Sequence, residues 1–192
     1  MKKEFTFEEY LDFVFKGREV KPFACTTKFQ ETFYIEDIEK TGCVGKKKSE
    51  TPHAEKYFLA ENDHKKDIAL FSIEPKFLQQ EGGQCDFILF DDTYFCFGEM
   101  KTNSPTKNYL QIRDKRYEAV EQLRNTIRFF NKHLKKDYKK RKVEAYICTP
   151  SNYQEVYNKF PKFGTEIVAL QTDFKKEFDG IRLFESNKKT FT

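Results

Sequence analysis

The stretch of sequence that decides the fold spans residues 84–101 and reads QCDFILFDDTYFCFGEMK. Two apolar, aromatic runs flank the polar residues Asp91, Asp92 and Thr93, a pattern typical of a β-hairpin. Both runs are apolar on both faces, so we expect both strands to lie in the middle of a sheet that is covered on each side.

The loop of this hairpin predicts its register. If the loop consists of Asp92 and Thr93, Asp86 at the start of the first strand lies opposite Glu99 on the second, with Cβ atoms about 5 Å apart. Lys101 follows Glu99 by two positions and therefore points to the same side of the strand. Two carboxylates this close repel each other unless a cation lies between them.

This pairing of acids predicts a site for metal-dependent phosphodiester hydrolysis. Mg²⁺ prefers hard oxygen ligands, here the carboxylates of Asp86 and Glu99 and the backbone carbonyl of Met100, and we expect Mn²⁺ to substitute for it. The metal would neutralise charge that develops on the scissile phosphate. Lys101 would orient or deprotonate the attacking water, or stabilise the charged transition state.

The spacing of acid and lysine is not specific by itself. An acid followed two residues later by lysine recurs in this charged chain, for example at Asp173 and Lys175. Glu99 and Lys101 differ because they end a predicted buried strand whose partner begins with an aspartate. The pattern gains its meaning from the hairpin around it.

The other predicted elements alternate around this hairpin. We expect helices over 6–17, 51–63, 113–138 and 153–159, strands over 20–25, 32–38, 68–73, 142–148, 165–171 and 181–185, and a loop over 41–48. From residue 50 the order is α-β-β-β-α-β-α-β, a mixed sheet with helices on its faces and thus an α/β fold. Residues 1–49 form an N-terminal α+β extension packed on a core of residues 50–192.

The composition of the chain sets only broad limits on its partners and its cellular location. The chain has 192 residues, with 35 Lys and Arg against 31 Asp and Glu and a net charge of +4, too mild to identify a partner. Its mean hydropathy is -0.79, and the sequence has neither an apolar run long enough for a membrane span nor a visible secretory signal. Five cysteines without CxxC spacing favour free thiols in a reducing compartment. We therefore expect a cytoplasmic protein.

The residues Asp86, Glu99 and Lys101 resemble the motif of the PD-(D/E)XK phosphodiesterase superfamily, which has a restriction-endonuclease-like fold. In that family an Asp opens the second core strand and an acid-x-Lys lies on the third. The predicted order of elements over residues 50–148 also resembles the αβββαβ core of the family, while Cys85 replaces the proline of the motif.

This resemblance implies a Mg²⁺-dependent nuclease that most often acts on DNA. It also implies an additional acid from the first core helix, for which Glu55 is our candidate and Glu61 the alternative. The alternative interpretation, that each of these residues is an ordinary surface glutamate, has equal weight. Gln122, in the middle of the long predicted helix, either faces the site, as a glutamine does in some relatives, or faces solvent.

Candidate nucleic-acid contacts fall in three segments. A lysine run, the loop after the motif and the start of the long helix contribute Lys46, Lys47, Lys48, Thr102, Asn103, Lys107, Arg113 and Arg116, residue types that position a nucleic acid through its phosphates. For the lysine run, a solvated loop is the alternative. A dense basic stretch over 132–142 could contact nucleic acid or complement the dipole at a helix end. The sequence leaves open whether the chain forms a homodimer.

Two other functions compete with a nuclease. A catalytically inactive relative would use the same fold to bind DNA or protein, but it would have no need of an intact acid-acid-lysine set. His53 and Glu55 match the first half of a zinc deaminase signature. The second half is absent, and Cys85 and Cys96 have the wrong spacing to replace it.

Overall fold

The protein is a three-layer α/β structure in which one face of a central sheet carries helices and the other carries a second sheet. The computed structural model describes residues 26–38, 41–50, 56–73, 83–103, 108–133, 137–150, 158–160 and 162–192. The predictions for 6–17, 20–25 and most of 153–159 lie outside these residues.

The central sheet has six strands in the order β1-β5-β6-β7-β8-β9. Their bounds are β1 Thr26–Phe29, β5 Ile68–Ser72, β6 Phe87–Phe90, β7 Tyr94–Met100, β8 Lys142–Cys148 and β9 Arg182–Glu185. The pairs β1–β5, β5–β6 and β6–β7 are antiparallel, whereas the pairs β7–β8 and β8–β9 are parallel. The sheet is therefore mixed, as predicted.

The predicted register of the hairpin is confirmed. Phe90 pairs with Phe95 and Phe87 pairs with Gly98. Asp86 itself forms a bend just before β6, and its backbone N–H donates to the carbonyl of Gly98 at 3.0 Å, so the regular register ends at Phe87 and Gly98 and does not extend to the predicted pairing of Asp86 with Glu99. Both strands are buried along their whole length because they occupy the middle of the sheet.

Within the described ranges, two helices cover one face of this sheet. Helix α1 (Tyr109–His133) connects β7 to the parallel β8, and α2 (Lys162–Glu177) precedes β9. A single apolar cluster joins the two helices to alternate residues of the central strands, among them Ile88, Phe97 and Ile147. The crossover predicted between parallel strands is thus present, and a short 3₁₀ helix, Asp137–Lys140, lies just before β8.

The opposite face packs against a four-stranded sheet in the order β10-β4-β2-β3. Its strands are β2 Phe33–Ile38, β3 Gly42–Lys47, β4 Tyr57–Glu61 and β10 Lys188–Thr190. The remaining alternate residues of β6, β7 and β8 contact this sheet in a second apolar cluster. Residues from both predicted segments, 1–49 and 50–192, contribute strands to each of the two sheets.

The predicted loop at 41–48 is wrong, because residues Gly42–Lys47 form β3 and pair with β2. Of the two glycines that suggested a loop, Gly42 has a φ of +82° beside the β2–β3 turn, and Gly45 serves packing. A Cβ on Gly45 would lie 2.4 Å from the ring of Phe29, so glycine lets the two sheets approach closely.

The predicted helix at 51–63 is also wrong over its described part, where Tyr57–Glu61 forms strand β4 with alternating burial. The prediction rested on the helix-start signal at residues 51–52. Residues 51–55 lie outside the described residues, and beyond them the β-prone run of Tyr57, Phe58 and Leu59 decides the local structure.

The predicted strand at 165–171 is part of α2. Its β-branched residues favoured a strand, but Phe163, Ile167, Leu170 and Phe174 are buried at helical spacing. Packing of that stripe against the central sheet overrides local propensity. Helix α1 begins earlier than predicted, where Asn108 caps it by accepting the N–H of Leu110 at 3.0 Å. Among the described residues, no helix is long and apolar enough to cross a membrane.

Candidate active site

Asp86, Glu99 and Lys101 meet at one end of the hairpin. A side-chain oxygen of Asp86, Oδ2, accepts the N–H of Met100 at 2.6 Å. The Oε1 atom of Glu99 lies 2.7 Å from Nζ of Lys101. Glu99 and Lys101 lie on the face of the sheet that α1 covers, where Lys101 contacts Gln122 and Glu118, and the carboxyl group of Asp86 lies within hydrogen-bond distance of Glu99.

The two acids are held close together in a buried position. Burial raises the pKa of Glu99 well above its ordinary value, and the neighbouring carboxylate of Asp86 raises it further. Burial likewise raises the pKa of Asp86 from 3.8 to about 6, against the lowering effect of the Met100 N–H. Asp37, from strand β2 of the second sheet, adds to this rise in the pKa of Asp86. The pair is therefore costly to keep ionised without a cation.

One oxygen of this pair is available to a ligand. Oε2 of Glu99 is buried and receives no N–H from any residue that the structure describes, although buried polar atoms normally find a partner; the Asp86 carboxyl group lies within hydrogen-bond distance of the Glu99 side chain. The free oxygen and the facing Asp86 carboxyl are hard ligands of the kind that Mg²⁺ takes.

The described residues do not form a closed metal cage. They contain no group of three or more His, Cys, Asp or Glu side chains arranged to hold an ion. Mg²⁺ does not need one, since it is commonly bound through one or two carboxylates with water and substrate phosphates completing the shell. The donor set fits an open magnesium site.

Helix α1 anchors the lysine. Nζ of Lys101 donates to Oε1 of Gln122 at 2.7 Å and to Oε1 of Glu118 at 3.0 Å. Burial alone would lower the pKa of Lys101, but the carboxylates of Glu99 and Glu118 outweigh it and hold the pKa above its ordinary value. Lys101 is thus an ammonium ion at neutral pH.

Gly83 completes this side of the site. It has a φ of +78°, in the region that glycine adopts without strain. A Cβ there would lie 3.1 Å from Cγ of Gln122. The backbone therefore passes directly over the glutamine that holds Lys101, which explains the need for glycine at this point.

The lysine run lies away from these residues. Lys46 forms an ion pair with Glu36 at 2.5 Å, and Lys47 pairs with Glu31. The part of β3 near the site is Cys43, whose N–H donates to Ser72 beside β6. Lys46 and the exposed Lys47 and Lys48 are about 10 Å or more further along β3.

The basic stretch before β8 also lies at the far end of the sheet. Arg141 donates to the carbonyl of Asp91 in the hairpin turn at 2.7 Å, and Lys142 pairs with Tyr94. Tyr94 is the first residue of β7, about 17 Å along the strand from Glu99. This stretch does not border the three catalytic candidates.

The prediction that Arg116 contacts nucleic acid is wrong. Its side chain is buried, donates to both carboxylate oxygens of Glu185, and stacks 3.5 Å from the ring centre of Phe163. A guanidinium with such a bidentate partner cannot reach a phosphate. Arg116 instead connects α1, α2 and β9.

The other predicted contacts differ in accessibility. Arg113 pairs with Asp114 and lies on the opposite side of α1 from Gln122, since nine residues make about two and a half turns. Thr102 is buried, whereas Asn103 is exposed. Lys107 lies outside the described residues.

Of the two candidates for an additional acid, Glu55 and Glu61, the structure describes only Glu61. Glu55 lies outside the described residues, so its role stays a prediction. Glu61 does not join the site, because it lies on β4 and is engaged by Lys188 at 2.6 Å and Thr190 at 2.8 Å.

The cysteines do not support a deaminase. Cys85 belongs to the helix-facing cluster and Cys96 to the cluster on the other side of the sheet, so the two cannot share one zinc ion. Cys43, Cys85, Cys96 and Cys148 are free thiols, which confirms the expectation for these four. Burial raises the pKa of each of them well above 9.0.

Sequence reasoning missed Glu118 and left Gln122 undecided. They are four residues apart and so lie on one side of α1, which was a usable signal. Nothing in the sequence indicated that this side faces Lys101. Asp37 was also missed, because the second sheet brings it near.

Comparisons with protein-family models, with curated proteins and with solved structures found no match to this chain.

Proposed function

We propose that this protein is a Mg²⁺-dependent nuclease that hydrolyses phosphodiester bonds in DNA. The observation that carries the proposal is the buried carboxyl pair of Glu99 and Asp86 beside Lys101, in which Oε2 of Glu99 receives no N–H from the described part of the chain. A fold stabilised only by packing gains nothing from such an arrangement. A carboxylate pair with a free oxygen is useful when it binds a cation.

The topology supports the same proposal. Strands β5, β6 and β7 form an antiparallel meander, and α1 crosses over to the parallel β8. This is the βββαβ part of the restriction-endonuclease-like core that the resemblance to the PD-(D/E)XK superfamily implies. The helix that precedes these strands in that family was predicted over 51–63, where the described residues Tyr57–Glu61 form strand β4 instead.

The residues divide the chemistry between them. Asp86, Glu99 and the carbonyl of Met100 would hold Mg²⁺, which when bound supplies positive charge to the phosphate and lowers the pKa of a coordinated water. Lys101 is an ammonium ion, so it stabilises negative charge on the phosphate rather than taking a proton from water. Gln122 keeps the ammonium group in position.

The direct test is cleavage of plasmid and linear duplex DNA with Mg²⁺ or Mn²⁺. We expect Lys101→Ala to reduce cleavage at least about a hundredfold while DNA binding survives, because it removes a charge aimed at the transition state. Asp86→Asn should abolish cleavage at Mg²⁺ concentrations that saturate the unsubstituted protein, because it removes a metal ligand.

The chain offers a matched control for both variants. Asp173 and Lys175 have the same acid-x-Lys spacing but are exposed on α2. Asp173→Asn and Lys175→Ala should leave cleavage unchanged. Loss of cleavage in these variants, or full cleavage by Lys101→Ala, would contradict the proposal.

The same experiment tests the inactive binding module. Such a protein would shift DNA in a gel with or without metal, would not cut it, and would keep the shift in Asp86→Asn. That combination of results would replace the nuclease proposal.

A further inference from the structure

The ammonium group of Lys101 has no free donor in this structure. An ammonium carries three N–H groups and no acceptor. Its three neighbours are Oε1 of Glu99 at 2.7 Å, Oε1 of Gln122 at 2.7 Å and Oε1 of Glu118 at 3.0 Å, and all three are acceptors. A substrate phosphate can bind Lys101 only if one of them leaves.

The three acceptors differ in how readily they can leave. Glu99 is buried within β7, and Gln122 packs beneath Gly83. The Glu118 side chain is 45 % exposed and makes the longest of the three contacts. It can swing towards solvent without opening the core.

A second cation, the ammonium group of Lys115, also contacts the carboxylate of Glu118. Its other oxygen, Oε2, lies 2.6 Å from Nζ of Lys115, one turn earlier on α1. Glu118 therefore keeps an ion pair after it leaves Lys101. Exposed ion pairs of this kind are weak and exchange partners readily.

We infer that Glu118 is a gating residue: its carboxylate occupies the donor of Lys101 that the scissile phosphate requires, and bound DNA displaces it towards Lys115. This inference rests on the proposed function and adds a step to it. Before DNA binds, the lysine is neutralised by acids of the protein. Glu118 thus competes with the substrate for Lys101.

The test measures the affinity for a duplex oligonucleotide in EDTA and KM and kcat with Mg²⁺. Glu118→Ala should tighten DNA binding by about fivefold, the effect of removing one exposed competing ion pair. Glu121→Ala is the matched control, because Glu121 is exposed on the same helix but pairs with Arg124. It removes the same charge without touching Lys101.

A double variant separates gating from general repulsion of DNA. In a Lys101→Ala background, Glu118→Ala should have no further effect on affinity, since the lysine that it freed is absent. An equal gain in the two backgrounds, or an equal gain from Glu121→Ala, would overturn the inference.

Labelling of lysine amines, mapped by mass spectrometry, provides a readout that needs no DNA. Glu118→Ala should speed the labelling of Lys101 because it removes one of three acceptors from Nζ. Unchanged labelling would overturn the inference whatever the DNA results are. Faster labelling in a protein that neither binds nor cuts DNA would overturn the proposed function and, with it, the role of phosphate as the competitor.

Discussion

Two aspartates at opposite ends of strand β6 show how surroundings decide the role of a carboxylate. Asp91 accepts the N–H of Thr93 at 2.8 Å and of Tyr94 at 2.5 Å, and Lys66 lies near its other oxygen. Asp86 receives one backbone N–H and faces Glu99. Asp91 therefore stabilises the hairpin turn, whereas Asp86 costs stability in the absence of a cation.

The pKa of Asp86 leads to a prediction at this scale. Burial raises this pKa from 3.8 to about 6, so folding takes up a proton between these two values. The free energy of unfolding that depends on Asp86 therefore rises as the pH falls from about 7 to about 4. At pH 7.5 the metal-free protein should be less stable than Asp86→Asn by about 2–3 kcal/mol, and the gap should close by pH 4.

Urea unfolding of both proteins across this pH range measures the gap. Asp91→Asn is the control and should lower stability at neutral pH, because a charged acceptor of two N–H groups is lost. Added Mg²⁺ should stabilise the unsubstituted protein and leave Asp86→Asn unaffected. If the free energies of unfolding of the protein and of Asp86→Asn differ by the same amount at every pH, burial does not raise the pKa of Asp86.

At the scale of the element, the β6–β7 hairpin is the feature that holds the site. Gly98 lies opposite Phe87, and a Cβ on Gly98 would lie 2.0 Å from Cζ of that ring. The ring covers the glycine, an arrangement that compensates for glycine within a strand. It also fixes the strand directly before Glu99.

We therefore expect Gly98→Ala to lower the free energy of unfolding by about 2–3 kcal/mol, because the added methyl group has no room. Gly164→Ala on α2 is the matched control. A Cβ there meets nothing within 4 Å, and the same substitution should stabilise the helix by about 0.5–1 kcal/mol. Chemical denaturation of both variants measures these changes, and a mild effect at Gly98 would contradict the packing.

The hairpin was also the element that the sequence predicted best. Its two strands, their register and their central position are confirmed because they depend on neighbours in sequence and on a short polar turn. The predictions for 41–48, 57–61 and 165–171 were wrong where packing overrode local signals. Gly45 lies within strand β3 because any side chain there would collide with the ring of Phe29. The buried apolar residues at helical spacing form α2 although the segment contains β-branched residues.

At the scale of the whole molecule, one buried ion pair connects the helix layer to the sheet. Arg116 of α1 donates three hydrogen bonds to the carboxylate of Glu185 in β9 and one to the carbonyl of Phe163 in α2 at 3.2 Å. Three elements that are distant in sequence therefore meet at one guanidinium. The pair fixes α1, which carries Glu118 and Gln122.

Arg116→Ala should therefore destabilise the protein by about 3–5 kcal/mol, because it leaves Glu185 buried without its partner. Arg113→Ala is the control, since Arg113 is partly exposed and pairs only locally with Asp114; it should change stability by less than about 0.5 kcal/mol. Thermal unfolding monitored by circular dichroism compares the two. Equal effects would contradict the connecting role of Arg116.

The sequence by itself determined the hairpin and the side of β7 that Glu99 and Lys101 share, because strand alternation and a two-residue turn fix those positions locally. Only the tertiary structure decided which side of α1 faces Lys101, that Arg116 is buried, and that Lys46 lies far from the site. These outcomes depend on how whole layers pack, which local sequence patterns do not encode.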